Sequence, residues 1–480
     1  MMTTETNQTT RASDALARLD RIFSRQQQAF AQDPMPTLDE RKLHLKTLKA
    51  LLVQYQDRIA QAISADFTAR SANETLMAEI MPCITHIGFV LKHLGRWMKP
   101  NARHVGLQFQ PAQAKVVYQP LGVVGIMVPF NYPLNLGIEP LIAALAAGNR
   151  AMIKMSENTP LFAELLCEIL GKGFNEDRVA VITGGVDLAK TFSELPFDHL
   201  LFTGSIPVGK HVMHAAADNL TPVTLELGGK SPVIIANDIP LYDIIDRIVF
   251  AKSLNAGQTC VAPDYVLIPR AKIRPFLDAF KTTFKQMYPA VNDNPDYTSV
   301  INERNYQRLQ DWLLDAEQKG AHIEKVSEEI IDDGSYRMVP HLVTDATDDM
   351  KIMQEEIFGP ILPVLPYDSL EEALAFVTSH PRPLALYLFT YDRALQERVM
   401  TRTHAGSMAI NDALIQVGID ALPFGGIGPS GMGQYHGHEG FLTMSKAKSV
   451  LIKQRLNSMK FMYPPYGGVI QRWILRLLIR

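Results

Sequence analysis

Short apolar runs alternate with amphipathic runs along the middle of the chain, and this alternation constrains the fold more than any other feature. Strand-like runs lie near residues 151–155, 179–183 and 199–202, and helical patterns lie near residues 161–170 and 208–217. Strands that alternate with helices at this spacing are typical of βαβ units, whose strands are parallel. We therefore expect an α/β fold with a doubly wound sheet in this part of the chain.

The flanking regions differ from this central part. Residues 13–97 repeat apolar side chains at helical spacing, and extended runs at residues 116–118 and 122–128 follow Pro100. A second α/β stretch covers about residues 232–412, and a glycine-rich segment follows. A chain of 480 residues is also too long for one compact core, so we expect two or three domains.

The charge balance and the cysteines exclude several classes of protein. The 47 basic and 50 acidic side chains give a net charge of -3, which does not favour a nucleic-acid partner. Cys83, Cys167 and Cys260 lie far apart, so neither a disulfide framework nor a metal site is predicted. The first fifteen residues lack the apolar stretch of a signal peptide, and we expect a cytoplasmic protein.

Cys260 is the strongest candidate for a catalytic nucleophile. It lies in the segment NAGQTCVAPDY (residues 255–265), where small and polar residues end an apolar helical run. A cysteine reacts only as an accessible thiolate, and this context predicts an exposed turn at a domain boundary. Cys83 and Cys167 lie inside apolar helical patterns, so we expect both to be buried core residues.

Glu226 and Asn131 are candidates for a general base and an oxyanion donor. Glu226 lies inside an apolar strand pattern and precedes two glycines, which favours a buried base, although an edge-strand glutamate facing water fits equally well. Asn131 lies between an apolar strand and a helical run. Its amide can donate to an oxyanion, but an ordinary helix N-cap explains the same position.

The dinucleotide-binding motif requires care, because a literal GxGxxG occurs at residues 426–431. Pro429 interrupts that match and no strand precedes it, so we reject it as a phosphate loop. The segment at residues 200–210 is the better candidate, since an apolar strand ends in Gly204 and a helix begins near Pro207. His211 stands where a nucleoside triphosphatase needs serine or threonine, so that activity is not expected.

Together these motifs, in this order, resemble the aldehyde dehydrogenase superfamily over about residues 13–455. Within it the chain is most similar to the class 3, fatty aldehyde and bacterial coniferyl aldehyde dehydrogenases. The segments that carry this finer likeness are residues 131–133, 257–265 and 430–437. Pro140 stands where many members have a lysine, a departure that the class 3 enzymes share.

The resemblance implies roles for individual residues. Cys260 matches the nucleophile, Glu226 the general base and Asn131 the oxyanion donor. NAD is the implied cofactor, and NADP is an alternative that the likeness leaves open. The positions that match cofactor contacts are Lys154 and Glu157 at the adenine ribose, Gly204, Ser205 and Gly209 at the pyrophosphate, and Glu356 and Phe358 at the nicotinamide.

The resemblance also implies the domain organisation and the substrate class. It implies a Rossmann-type NAD-binding domain, an α/β catalytic domain and a small β oligomerisation arm in a homodimer. The expected bounds are residues 1–99 and 120–226 for the dinucleotide-binding domain, 227–433 for the catalytic domain, and 100–119 and 434–455 for the arm. The expected reaction is oxidation of a hydrophobic aldehyde, aromatic or long-chain aliphatic. The alternatives are a CoA-acylating enzyme, which usually lacks the glutamate that Glu226 matches, and a non-catalytic homologue.

Residues 456–480 form the remaining segment and end in an amphipathic pattern. Arg472, Arg476 and Arg480 recur every four residues, and apolar residues that include Trp473 and Leu477 line the other face. Such a helix can lie on an anionic membrane surface or dock on protein. It is too short to span a bilayer, which takes about 20 residues.

Overall fold

The computed structural model describes residues 2–106, 109–331, 333–455 and 457–479. The helical opening predicted from the sequence is present, with its first helix packed on one face of the first sheet and its later helices packed with α6 and α7 on the other. Its helices are α1 (Met2–Gln32), α2 (Leu38–Gln54), α3 (Gln56–Asp66), α4 (Ala72–Thr75) and α5 (Met81–Trp97), with a π-helical turn at Leu76–Ile80 between α4 and α5.

The first large sheet has the parallel, doubly wound form that the alternating pattern predicts. Its strands are β3 (Val123–Met127), β4 (Arg150–Lys154), β5 (Val179–Ile182), β6 (His199–Gly204) and β7 (Val223–Leu227). The helices between and after them are α6 (Asn135–Ala147), α7 (Pro160–Gly171), α8 (Val186–Glu194) and α9 (Ile206–Asp218). The spatial order is β7-β6-β3-β4-β5, so the chain reverses direction across the sheet between β3 and β6. Ligands of such sheets bind outside the carboxyl ends of the strands at that reversal.

The second sheet is also mostly parallel. Its strands are β8 (Pro232–Ile235), β9 (Tyr265–Pro269), β10 (His322–Lys325), β11 (His341–Thr344), β12 (Ile361–Tyr367), β13 (Ala385–Phe389) and β14 (Ser407–Ile410), in the order β10-β11-β12-β9-β8-β13-β14. Its helices are α10 (Ile245–Ser253), α11 (Ile273–Met287), α12 (Glu303–Gln318), α13 (Lys351–Gln354), α14 (Leu370–Ser379) and α15 (Arg393–Arg402). Only β10 is antiparallel to its neighbour among these strands.

A small antiparallel sheet stands apart from the two large ones. It consists of β1 (Asn101–Arg103), β2 (Gln113–Pro120) and β16 (Ser445–Ile452); β1 and most of β16 are exposed, and most of β2 is partly buried. The remaining elements near the carboxyl end are β15 (Gly431–Met432), α16 (Gly437–Thr443) and α17 (Val469–Leu478). β15 pairs antiparallel with β7, so the end of the glycine-rich segment joins the first sheet.

Two details of this fold bear on the sequence predictions. Cys83 is buried as expected, but the prediction that Cys167 is a core residue is wrong, because its side chain is exposed on α7. Residues 72–97 are long and apolar enough to cross a membrane by length and composition alone, with a mean hydropathy of 1.3. They contain the buried Glu79 and pack against α2 and α6, as a core helix does.

Candidate active site

Glu226 lies on β7 between two strands, and the structure excludes the water-facing alternative. Its residue is 2% exposed, and neither carboxylate oxygen has a hydrogen-bond partner among the described residues. Burial raises the pKa of Glu226 well above its usual value. Glycine at position 431, with φ +146°, lets β15 approach β7 closely, because a Cβ there would lie 2.2 Å from the Leu225 carbonyl oxygen.

Cys260 lies on a turn after α10, as its local sequence predicts, and its side chain is half-buried. Burial, followed by the charges of Glu356 and Glu226, raises the pKa of the Cys260 thiol to about 12. Both carboxylates therefore act on the thiol through their charge. Tyr387 lies behind the turn, and its hydroxyl donates to the Val261 carbonyl oxygen at 2.5 Å.

The chain reaches Cys260 through three consecutive residues with left-handed backbone. Asn255, Ala256 and Gly257 have φ of +52°, +51° and +74°. A Cβ on Gly257 would lie 2.5 Å from the Gly359 carbonyl oxygen, so only glycine fits there. The Gln258 amide holds this conformation by donating to the Asn255 and Ser299 carbonyl oxygens, each at 3.0 Å. Strain of this kind persists where surrounding contacts over-determine it, and it clusters at functional sites.

Asn131 is buried at the end of the loop that follows β3. It does not cap α6, because that helix begins at Asn135 and its N-cap residue is Leu134. The Asn131 side-chain nitrogen donates to the Gln258 carbonyl oxygen at 3.1 Å, which places the amide beside the Cys260 turn. An amide nitrogen carries two N–H donors, so a second donor remains for a ligand.

The cofactor-contact candidates lie at the carboxyl ends of β4 and β6. The Lys154 side chain is buried, and its ammonium donates to the Met155 and Gly184 carbonyl oxygens, both at 2.7 Å. Glu157 is exposed three residues later. Ser205 is the exposed N-cap residue of α9, directly after Gly204.

The end of β6 has the features that a pyrophosphate needs. Among the described side chains none caps the first turn of α9, so its backbone N–H groups are available to an anion. A Cβ on Gly209 would lie 2.5 Å from the Leu227 side chain, so glycine lets α9 approach β7. A buried cation, a helix N-terminus and glycines at a strand-order reversal fit a nicotinamide dinucleotide.

Glu356 and Phe358 face this region from the other large sheet. A Cβ on Gly228 would lie 1.8 Å from a Glu356 carboxylate oxygen, so the carboxylate rests on the backbone just after β7. Burial and the nearby Asp264 raise the pKa of Glu356 to about 8. The Phe358 ring packs edge-on against Phe130, with ring centroids 5.8 Å apart.

Two residues that the sequence analysis did not identify, Lys230 and Arg308, hold the loop that carries Glu356. The Lys230 ammonium contacts Asp264 and donates to the Ile352 carbonyl oxygen at 2.6 Å. The Arg308 guanidinium donates to the Ile357 carbonyl oxygen at 2.8 Å. Lys230 adjoins the glycine pair after Glu226, and that position was the only signal that could have indicated its role.

Other residues missed by the sequence reasoning are Arg70, Asn255 and Gln258. Asn255 and Gln258 belong to the nucleophile segment, but their hydrogen bonds depend on a backbone that no local pattern predicts. Residues 426–431 form turns that lead into β15, so the literal GxGxxG lacks the strand-to-helix geometry of a phosphate loop, as expected. Among the described residues no group of three or more histidine, cysteine or acidic side chains could hold a metal ion.

Comparison with known proteins agrees with this geometry. The model of the aldehyde dehydrogenase family matches residues 2–450. A probable coniferyl aldehyde dehydrogenase of Pseudomonas aeruginosa is 56% identical over 463 residues, which cover 96% of each chain. The aldehyde dehydrogenase family 3 member A2 of Macaca fascicularis is 37% identical over 96% of this chain and 94% of the relative.

Solved structures show the same fold. The substrate-bound AldH of Staphylococcus aureus matches with a TM-score of 0.90 and 38% identity over 95% of this chain and 99% of that chain. The Mycobacterium tuberculosis aldehyde dehydrogenase complexed with NAD+ matches with a TM-score of 0.84 and 29% identity over 92% and 91%. These matches confirm the resemblance and the α/β fold class, and they show that the chain belongs to the aldehyde dehydrogenase family, as an oxidoreductase that uses a nicotinamide dinucleotide.

Proposed function

We propose that Cys260 is the nucleophile, Asn131 the oxyanion donor and Glu226 the general base of aldehyde oxidation. The Cys260 thiolate adds to the carbonyl carbon, and the oxyanion accepts hydrogen bonds from the Asn131 amide and the Cys260 backbone N–H. The bound dinucleotide supplies the hydride acceptor, and loss of hydride leaves a thioester on Cys260. Glu226 takes a proton from water, the water oxygen attacks the thioester, and the acid leaves as the Cys260 thiolate re-forms.

One observation supports this assignment above the others. Glu226, Cys260 and Asn131 come from three segments, and they meet beside the strand-order reversal of the first sheet. A buried carboxylate next to the sulfur favours hydrolysis over acyl transfer to CoA. It also argues against a non-catalytic homologue, since burying a glutamate without a partner is costly.

The proposed substrates are hydrophobic aldehydes, aromatic such as coniferyl aldehyde or long-chain aliphatic. The likeness to the Pseudomonas aeruginosa relative supports the aromatic class. The paired rings of Phe130 and Phe358 beside the site support an apolar substrate. A panel of cinnamyl-type and aliphatic aldehydes, followed by NADH formation, tests this: kcat/KM should be highest for one of these classes, and a preference for small polar aldehydes would contradict it.

NAD is the proposed preferred cofactor, with NADP as a weaker alternative. The Lys154 ammonium donates to two backbone carbonyls, and its third N–H can donate to a ribose hydroxyl. The exposed Glu157 carboxylate can accept a hydrogen bond from a 2′-hydroxyl and would repel a 2′-phosphate.

We also propose that the enzyme is a cytoplasmic homodimer and that its domains have the bounds expected above. In this proposal the small sheet of β1, β2 and β16 is the oligomerisation arm. The exposed faces of this sheet support that role. Sedimentation at assay concentration should show a dimer, and a stable monomer would contradict it. The three cysteines are unpaired in the described part of the chain, in keeping with a reducing compartment.

The tail is proposed either to dock on the partner subunit or over the substrate entrance, or to contact an anionic membrane. α17 forms as the amphipathic pattern predicts, with Ile470, Trp473 and Leu477 each at least 65% exposed, while Arg480 lies outside the described residues. The described part of this chain leaves that apolar face uncovered. Something outside the chain is therefore expected to cover it.

A further inference from the structure

A buried arginine lies behind the proposed oxyanion donor. The Arg70 side chain is 0% exposed, and it lies between two buried glutamates. Its Nε is 3.3 Å from a Glu74 carboxylate oxygen, and its Nη1 is 3.1 Å from a Glu79 carboxylate oxygen. The guanidinium also lies over the Tyr132 ring, 4.9 Å from its centroid. Burial of one cation with two anions is costly unless their contacts offset the loss of solvation.

Arg70 contacts the backbone of the donor residue itself. Its Nη1 donates to the Asn131 carbonyl oxygen at 2.9 Å. The same oxygen accepts a hydrogen bond from the Asn255 side-chain nitrogen at 3.0 Å. Asn255 is the first of the left-handed residues that lead to Cys260. One carbonyl oxygen therefore joins the donor loop to the nucleophile loop.

The two glutamates connect this carbonyl to both neighbouring segments. A Glu79 oxygen accepts from the backbone N–H groups of Leu134 and Asn135, at 2.7 and 3.1 Å, and so binds the first turn of α6. Glu79 lies in the π-helical turn at Leu76–Ile80, a rare conformation that is frequent at functional sites. Glu74 accepts from the Thr298 hydroxyl at 3.0 Å.

We propose that Arg70, held by Glu74 and Glu79, is a positioning residue that fixes the Asn131 amide relative to Cys260. The inference rests on the proposed role of Asn131. Oxyanion stabilisation requires a donor fixed in place before the charge develops, and a displacement of about 1 Å can cost about 100-fold in rate. The Arg70 side chain is fully buried and bonds to the Asn131 backbone, so we expect its effect to pass through Asn131.

Arg41 provides a matched control. It is also a buried arginine that binds backbone carbonyls, those of Ala146 and Ala147 at 3.1 and 2.6 Å, but at the opposite end of α6 from Asn131. Both Arg41→Met and Arg70→Met remove a buried guanidinium, so both should lower the melting temperature. Only Arg70→Met should lower kcat, by about 10- to 100-fold, with the KM for NAD within about twofold of wild type.

A double-mutant cycle with Asn131→Ala tests the route of the effect. If Arg70 acts through Asn131, the double variant should have the kcat of Asn131→Ala alone, within about threefold. Losses that multiply would overturn the proposal, and so would an Arg70→Met enzyme that is destabilised like Arg41→Met but keeps its kcat. An unchanged kcat in Asn131→Ala would overturn the donor role and the proposal with it.

Arg70→Lys keeps the test available if the methionine variant does not fold. Lysine keeps the charge between Glu74 and Glu79 but not the planar guanidinium that donates to the Asn131 carbonyl oxygen while it contacts both carboxylates. Its kcat should fall by less than that of Arg70→Met, and the fall should disappear in the Asn131→Ala background. A loss that persists in that background would contradict the proposal.

Discussion

Replacing Glu226 with glutamine removes the proposed base and keeps the size of the side chain. No other described group bonds to the Glu226 oxygens, so none is placed to substitute for them. A positioned base contributes about 10²–10⁴ in rate, so hydrolysis of the thioester should slow by that factor. The factor corresponds to about 3–5 kcal/mol of activation free energy. Hydride transfer precedes the hydrolysis and should survive.

Rapid mixing with NAD and excess aldehyde separates the two steps. The Glu226→Gln enzyme should release at most one NADH per active site in a fast phase, followed by slow turnover. Glu139→Gln is the control, because Glu139 is equally buried but pairs with His86 away from the site, so it should keep multiple turnovers. A steady-state rate equal to wild type in Glu226→Gln would mean that another base acts. Loss of the fast phase would mean that Glu226 acts before hydride transfer.

Three other predictions concern pH, the cofactor and the tail. The raised pKa of the Cys260 thiol leaves it mostly protonated at neutral pH, so kcat/KM should rise from pH 6 to pH 9, and a flat profile would contradict this. Glu226 contributes to that raised pKa, so in Glu226→Gln the fast phase should reach its limit at lower pH. Glu157→Gln should lower the KM for NADP by about 10-fold and leave the KM for NAD nearly unchanged. An unchanged ratio of the KM for NADP to the KM for NAD would mean that Glu157 does not face the ribose. If the tail binds membranes, deleting residues 466–480 should abolish liposome co-sedimentation at low salt. If the tail docks on protein, the deletion should change activity toward bulky aldehydes, and neither enzyme should bind vesicles. If neither property changes, both interpretations fail.

The strands of the first sheet could be predicted from the sequence because each is a short apolar run. The observed β4, β5 and β6 begin and end within two residues of the predicted runs. Their side chains are buried on both faces, and such strands carry a continuous apolar signal. The Cys167 prediction was wrong because it overlooked the periodicity of α7, in which Cys167 lies on the exposed face with Glu164 and Glu168.

The candidate site was predictable where chemistry needs a rare residue type in a particular context. The local context favoured Cys260, whereas Glu226 and Asn131 each also fitted an ordinary structural role, and their proposed roles came from the resemblance to the aldehyde dehydrogenase family. Arg70, Asn255 and Lys230 were not predictable as site residues. Their roles come from hydrogen bonds across 34 to 124 residues of sequence, which only the tertiary fold brings together.

The central claim is that the acyl group forms a thioester on Cys260, and trapping that thioester tests it most directly. Glu226→Gln enzyme, mixed with NAD and an aldehyde substrate and quenched after the fast phase, should carry one acyl group per chain on the peptide that contains Cys260. Cys83 and Cys167 should be unmodified, and Cys260→Ala should carry no acyl group and form no NADH. An acyl group on another residue, or sustained NADH formation by Cys260→Ala, would contradict the account.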